Sequence, residues 1–265
     1  MTGVVAAADC HIFSGCGFPA PGLQDFIWTP FFTVGQFSFT KPMLLAIVAA
    51  LVVIVFFWLA FRKPKLIPGR MQSLGEMAIL AVRDQILRPS LGRKGDSYLP
   101  FLVSLFFFIY IMNVMELIPV FQFPVTSRIG FVWPMVFTVY FVYLYLGFRH
   151  QGAWGYIRNM IPPGVPWPIY IILVPVELLR FFIFQPFTLG VRLFGNMFAG
   201  HLLLTIFTLA TWYLLSLSVG LLYAAGSFAL AIFVFVLETL VTLLQAFIFT
   251  TLTATYIASS VEPAH

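Results

Sequence analysis

The chain has 265 residues, 61% hydrophobic, 18% aromatic and only 9% charged, with a mean hydropathy of +1.01 and a formal net charge of +5. Soluble domains carry roughly 25% charged residues, so a water-soluble globular fold is excluded, and no polar segment is long enough to build a separate soluble core. The basic residues sit in short loops between apolar runs, a pattern that orients a membrane protein rather than one that binds nucleic acid.

The first forty residues contain no Lys or Arg, so neither a secretory signal with a basic leader nor a mitochondrial transit peptide is expected. Cys10 and Cys16 are the only cysteines. Six residues apart, with His11 as the sole nearby histidine, they read either as a disulfide on an oxidising face or as two free thiols.

Pro42 to Phe61 is an apolar run long enough to cross a hydrocarbon core about 30 Å thick. Arg62, Lys63, Lys65 and Arg70 follow at once, which places that end on the cytoplasmic or matrix side and the N-terminus on the other. From Met71 to Leu87, Gln72, Glu76 and Arg83 form one helical stripe and Leu74, Ala78, Ala81 and Val82 fill the rest, predicting an amphipathic helix on the membrane surface. Asp84, Arg88, Arg93 and Lys94 continue the charge, which argues against a re-entrant or buried helix.

Tyr98 to Met115 is predicted to cross outward, with Pro119, Pro124 and Arg128 in the outer connection, and Phe131 to Phe148 to cross back towards Arg149, His150 and Arg158. Asn113 and Glu116, one turn apart at the outer end of a span, line a water-filled vestibule or sit at the interface in water. This layout puts ten of the fourteen Lys and Arg on the inner side and leaves Lys41 and Arg128 outside. Arg180 and Arg192 fall within apolar sequence.

Pro168 to Leu217 is apolar throughout, and fifty residues of helix would extend roughly 75 Å, so this stretch must tilt, bend or cross twice. Pro175 and Pro186 offer bends. Gly220 and Gly226 loosen the connection to a last apolar stretch ending at Ile257. No internal repeat supports an inverted-repeat transporter.

Within the long stretch lies R-L-F-G-N-M-F-A-G-H, Arg192 to His201. An arginine at the centre of a membrane helix costs roughly 2.5 to 3.5 kcal/mol on insertion scales, so it is a functional candidate by default, although a snorkelling or structurally paired arginine fits the same sequence. Thr188, Arg192, Gly195, Asn196 and Ala199 share one face of an ideal helix, small enough for a partner helix to approach; intrachain packing is the other reading. Glu177 and His201 flank Arg192 at roughly 22 Å and 13 Å along a straight helix, and Glu177 is also placed to pair with Arg180 at i+3. Glu238 and Gln245, seven apart in the last helix, share a stripe, and antiparallel packing would bring Glu238 towards His201 and Gln245 towards Arg192. A carboxylate beside an imidazole in a low-dielectric site can relay a proton.

These residues resemble the a subunit of the F-type ATP synthase, the stator part of its membrane sector. R-L-F-G-N-M-F-A-G-H is similar to the family's signature around its essential arginine, E-T-L-V-T-L-L-Q-A-F-I-F from Glu238 to its final helix, and I-M-N-V-M-E-L-I-P from Ile111 to its first outward crossing. G-C-G-F-P-A-P-G points to the actinobacterial branch. The resemblance implies an all-α integral membrane fold with five crossings plus the surface helix, the last two helices long, tilted and paired as a hairpin over about residues 168–259. Residues 1–40 then form an outer segment, residues 41–265 one membrane domain, and the C-terminus is cytoplasmic, in a bacterial plasma membrane.

The same resemblance makes Arg192 the charge that faces the essential carboxylate of each passing c subunit. By that resemblance Asn196, His201, Glu238 and Gln245 match positions lining the half-channel from the outer side and Glu177 the acidic residue of the inner one; Asn113 and Glu116, read above as a vestibule, complete the candidate proton path. The resemblance implies a c-subunit ring, b subunits of the peripheral stalk and the rest of the complex as partners, protons as the transported ion and no cofactor. Where some relatives carry a serine eleven residues before the arginine, this chain has Phe181. No G-x-x-x-x-G-K-[ST] loop or H-E-x-x-H occurs, so neither nucleotide nor zinc chemistry is expected of this chain. Two rivals of other classes are an independent secondary transporter using Arg192 and Glu177, and a lipid-modifying enzyme using His201 and Glu238.

Overall fold

The computed structural model describes residues 10–22, 32–34, 37–118, 121–152, 155–156, 167–216 and 219–261. Among these residues the fold is helical apart from one short antiparallel ribbon, Phe32–Val34 (β1) against Phe37–Phe39 (β2), to which the sequence reading assigned no element. Five helical runs among the described residues are long and apolar enough to cross a bilayer: Lys41–Phe61, Arg70–Val114, Ile129–Gln151, Ile169–Leu214 and Gly220–Val261. Their number matches the five crossings expected, and the last two are long. Pro119 and Arg158 lie outside the described residues.

Helix α1 (Lys41–Phe61) is 21 residues, about 31 Å, and carries Pro42 in its first turn, where the missing N–H costs nothing. Leu51, Ile54 and Trp58 are more than half exposed, an arrangement suited to hydrocarbon and not to water. Helix α2 (Arg70–Val82) passes into a π turn at Arg83–Leu87, a single α turn at Arg88–Leu91 and a 3-10 segment at Gly92–Tyr98, then into α3 (Leu99–Val114). The charged stretch expected between two helices is thus itself wound. Its direction resets at Gly92, where φ is +63°, and an ion pair from Arg83 to Asp96 at 3.1 Å closes the turn.

Helix α4 (Ile129–Gln151) ends on Arg149 and His150, cations suited to a helix C-terminus, and is capped by Gly152 at φ +73°. Helix α5 (Trp167–Leu179) runs through a π turn at Arg180–Phe184 into α6 (Gln185–Leu214). The long apolar stretch is therefore neither broken nor doubled back. Pro186 lacks an N–H and crowds the carbonyl four residues earlier, and the π turn lies over that position, with Gln185 N–H bonded five residues back to the Arg180 carbonyl. Helix α7 (Gly220–Val261) has 42 residues, with Gly226 inside it rather than in a connection. Its Thr239, Thr250, Thr251, Thr253 and Thr255 hydroxyls donate to carbonyls four residues back, which satisfies them without water.

By its contacts the chain divides into two compact units. The first comprises Met1–Ala50, Ile111–Arg128 and Gly195–Leu244. Here Cys10 and Cys16 form a disulfide, which settles the two readings of that pair. The small loop it closes docks on the end of α6: His11 Nδ1 donates to the Trp212 carbonyl at 3.0 Å, the Tyr213 hydroxyl donates to the Cys16 carbonyl at 3.0 Å, and Phe18 meets Tyr213 edge-on.

The second unit comprises Leu51–Tyr110, Ile129–Phe194 and Gln245–His265. Its centre is aromatic, with Phe181 meeting both Tyr143 and Tyr156 edge-on at 5.5 Å between ring centres. Small residues set its closest helix contacts: a Cβ at Gly190 would lie 3.2 Å from Val136, and one at Gly75 would lie 2.7 Å from the Cβ of Ala60. Alkylation of the intact protein without reductant is expected to label neither cysteine, and prior reduction to release both; modification of both before reduction would contradict the disulfide.

Candidate functional site

The ionisable and amide residues singled out in the sequence fall into two groups, one in each unit. In the first unit Asn113 ends α3, and Glu116 follows in a turn whose backbone N–H bonds back to the Asn113 carbonyl at 3.1 Å. This brings the Glu116 carboxylate to α6, where its Oε1 lies 3.1 Å from Nδ1 of His201. The Glu116 side chain is 1% exposed and that of His201 15%. Glu116 is therefore not an interfacial residue in water. Burial pushes its carboxyl above the ordinary range, and the hydrogen bond and charge of His201 pull it back. The edge of the Phe123 ring covers the imidazole at 5.8 Å.

Glu238, on α7, is buried against α6 at the residue preceding His201. Its carboxylate occupies the space where a Cβ on Gly200 would stand, so only glycine at 200 admits it. Antiparallel packing led to the expectation that Glu238 would approach His201; the carboxylate bonded to His201 is instead that of Glu116, and Glu238 lies against the neighbouring Gly200. Asn113 is fully buried and accepts a 2.6 Å hydrogen bond at Oδ1 from the Thr126 hydroxyl. Three buried polar atoms of this group, Asn113 Nδ2, Glu116 Oε2 and Glu238 Oε1, have no protein partner. Buried polar atoms of this kind bind ordered water, and side chains that hold water in a low-dielectric interior can pass protons along it. Asn196 is exposed on α6.

In the second unit Glu177 of α5 pairs with Arg180 at 2.8 Å, the i+3 ion pair that its spacing allowed. Glu177 keeps 20% of its side chain accessible and Arg180 60%. Phe181 is buried among Tyr143, Tyr156 and Phe182, so its ring belongs to the aromatic core rather than to a channel wall. Gln245 is buried on α7. Arg192 is exposed on α6 beside exposed Val191 and Phe187, and among the described residues it makes no ion pair. Tyr256 lies within electrostatic range of both Arg192 and Arg180.

Comparison with known proteins identifies the family of the chain. A family model described as ATP synthase A chain matches residues 43–258. The chain belongs to that family. It is 43% identical to ATP synthase subunit a of Streptomyces lividans over 97% of this chain and 92% of that protein. It is 41% identical to ATP synthase subunit a of Frankia alni, covering 92% and 86%, and 37% identical to that of a Nocardioides species, covering 98% and 99%. Membership makes it a multi-pass, proton-translocating subunit of the membrane sector, and the transporter and lipid-enzyme readings fall away. The matched span includes all eight candidate residues.

Sequence reasoning missed Gly200 and Thr126. Gly200 stood beside His201 in the motif, but only the fold shows what rests on it. Gly200→Ala would ordinarily stabilise a helix by up to about 1 kcal/mol, so a loss of function there cannot be a helix effect. The substitution is expected to displace Glu238 and slow proton translocation roughly tenfold with the complex assembled, read as passive proton conductance of membrane vesicles stripped of the catalytic sector. Wild-type conductance would contradict the packing.

Proposed function

We propose that this chain conducts protons through two offset half-channels to and from a rotating ring of c subunits, and so couples the proton-motive force to ATP synthesis elsewhere in the complex. The observation that carries this reading is that Arg192 is exposed within an apolar span and makes no ion pair among the described residues. A charge left bare towards lipid is costly, so its partner belongs to another chain. A carboxylate on a passing c subunit supplies that partner. Arginine suits the task because it does not deprotonate: it favours the ionised carboxylate and bars direct leakage between the half-channels.

Asn113, Glu116, Asn196, His201, Glu238 and Gln245 serve the outer half-channel, and Glu177 the inner one. Arg180 holds Glu177 by a single contact and is itself largely exposed, so Glu177 remains open to water. The clustering of basic residues after α1, around α2 and at the end of α4 puts those ends in the cytoplasm. The N-terminal segment is then outside, where its disulfide is stable, and the C-terminus is inside. The amphipathic α2 lies along the inner membrane surface, and α6 and α7, about 45 Å and 63 Å long, cross at a steep tilt as a hairpin against the ring. The b subunits of the peripheral stalk hold the chain against rotation.

The buried imidazole–carboxylate pair favours protons over sodium, since a sodium site needs several oxygen ligands and the pair offers a proton donor and acceptor. In vesicles stripped of the catalytic sector, Glu116→Gln and His201→Ala are each expected to lower passive proton conductance roughly tenfold or more while c and b subunits still copurify. Normal conductance across the pH range in either variant would remove that residue from the path.

A further inference from the structure

Asn113 carries both a donor and an acceptor, and which end faces the proton path is decided by a residue on the far side of the outer connection. Thr126 sits in the 3-10 turn Val125–Ser127, fully buried. The turn is held on both sides of it: the Ser127 hydroxyl and backbone N–H both bond to the Pro124 carbonyl, at 2.7 Å and 3.1 Å, and Arg128 N–H bonds to the Val125 carbonyl at 3.2 Å. From that fixed position the Thr126 hydroxyl donates to Asn113 Oδ1 at 2.6 Å. The amide is planar, so its NH2 is turned away from Thr126, and Nδ2 is buried with no protein partner.

An amide rotated by 180° would present Nδ2 to Thr126 instead. The hydroxyl would then have to accept, and its own proton would need an acceptor other than Asn113. The observed orientation avoids that need, and it leaves Asn113 offering only donors on its other side. We infer that Thr126 is a positioning residue for proton transfer, fixing the Asn113 amide with its NH2 towards the path. A donor there binds a water by its lone pair and leaves that water's protons free to point onward to an acceptor. Glu116, one turn along and with Oε2 lacking a protein partner, is such an acceptor.

This inference rests on the proposed role of Asn113 in the outer half-channel, and the experiment separates the two. Passive proton conductance is measured in stripped vesicles for Asn113→Ala, Thr126→Val, Thr126→Ser and the Asn113→Ala/Thr126→Val pair, with c and b subunits quantified. Thr126→Val is expected to slow conductance roughly five- to tenfold, Thr126→Ser to stay near wild type because it keeps the donor, and the pair to be no slower than Asn113→Ala alone. Thr126→Ala carries the same loss of donor with less bulk in the turn and is read by the same non-additivity. Additive losses would show that Thr126 supports the turn and nothing more, and overturn the inference. Normal conductance in Thr126→Val and Thr126→Ala, with Asn113→Ala slow, would overturn it while sparing the half-channel reading. Normal conductance in Asn113→Ala would overturn both.

Discussion

The 3.1 Å contact between Glu116 Oε1 and His201 Nδ1 joins the turn after α3 to the middle of α6, with the carboxylate buried and the imidazole half-buried. In hydrocarbon an ionisable side chain needs a partner, a hydrogen bond or a water. Two polar groups of the first unit find a partner, Glu116 in His201 and Asn113 in Thr126, while Glu238 is packed into the hollow left by Gly200. The arrangement is only partly satisfied, and the atoms left over are acceptors on the two acids and a donor on the amide. A fully satisfied network would be rigid and inert. One with spare capacity at defined atoms can take up a proton and hand it on.

Two long helices carry this chemistry, and their continuity has a specific cause. A 46-residue run from Ile169 to Leu214 contains two prolines, which would ordinarily break it. The π turn at Arg180–Phe184 absorbs Pro186 without ending the helix. It also changes the register. Reckoning by 100° per residue from Arg192 back to Glu177 holds for an ideal helix, but a π turn winds fewer degrees per residue, so the acidic residue faces a direction the ideal count does not give. In α7 the threonines perform a related service, since hydroxyls bonded to their own helix carry polarity through a span without exposing it.

The spans were legible because their apolar length is set by the bilayer, and the basic residues gathered between them gave an orientation. The isolated Arg192 stood out for the same reason, as did the i+3 spacing of Glu177 and Arg180, which the fold realises as an ion pair. What sequence could not show depends on contacts between distant segments. Glu116 read equally well as a wet interfacial residue until the fold placed it against a residue 85 positions away. Phe181 read as a departure in a channel lining, whereas its ring fills an aromatic core. The loop from Arg83 to Tyr98 carries turn-like glycines and charges yet winds into helical turns, spanned by the ion pair from Arg83 to Asp96. Thr126 gave no signal at all.

The central claim is that Arg192 acts as a fixed charge towards a partner's carboxylate and not as a structural ion within this chain. ATP-driven acidification of inverted membrane vesicles, compared between wild type and Arg192→Ala with c and b subunits quantified in both, tests it most directly. The account predicts that pumping is lost while the subunits assemble at wild-type levels. Retained pumping in the assembled variant would contradict it.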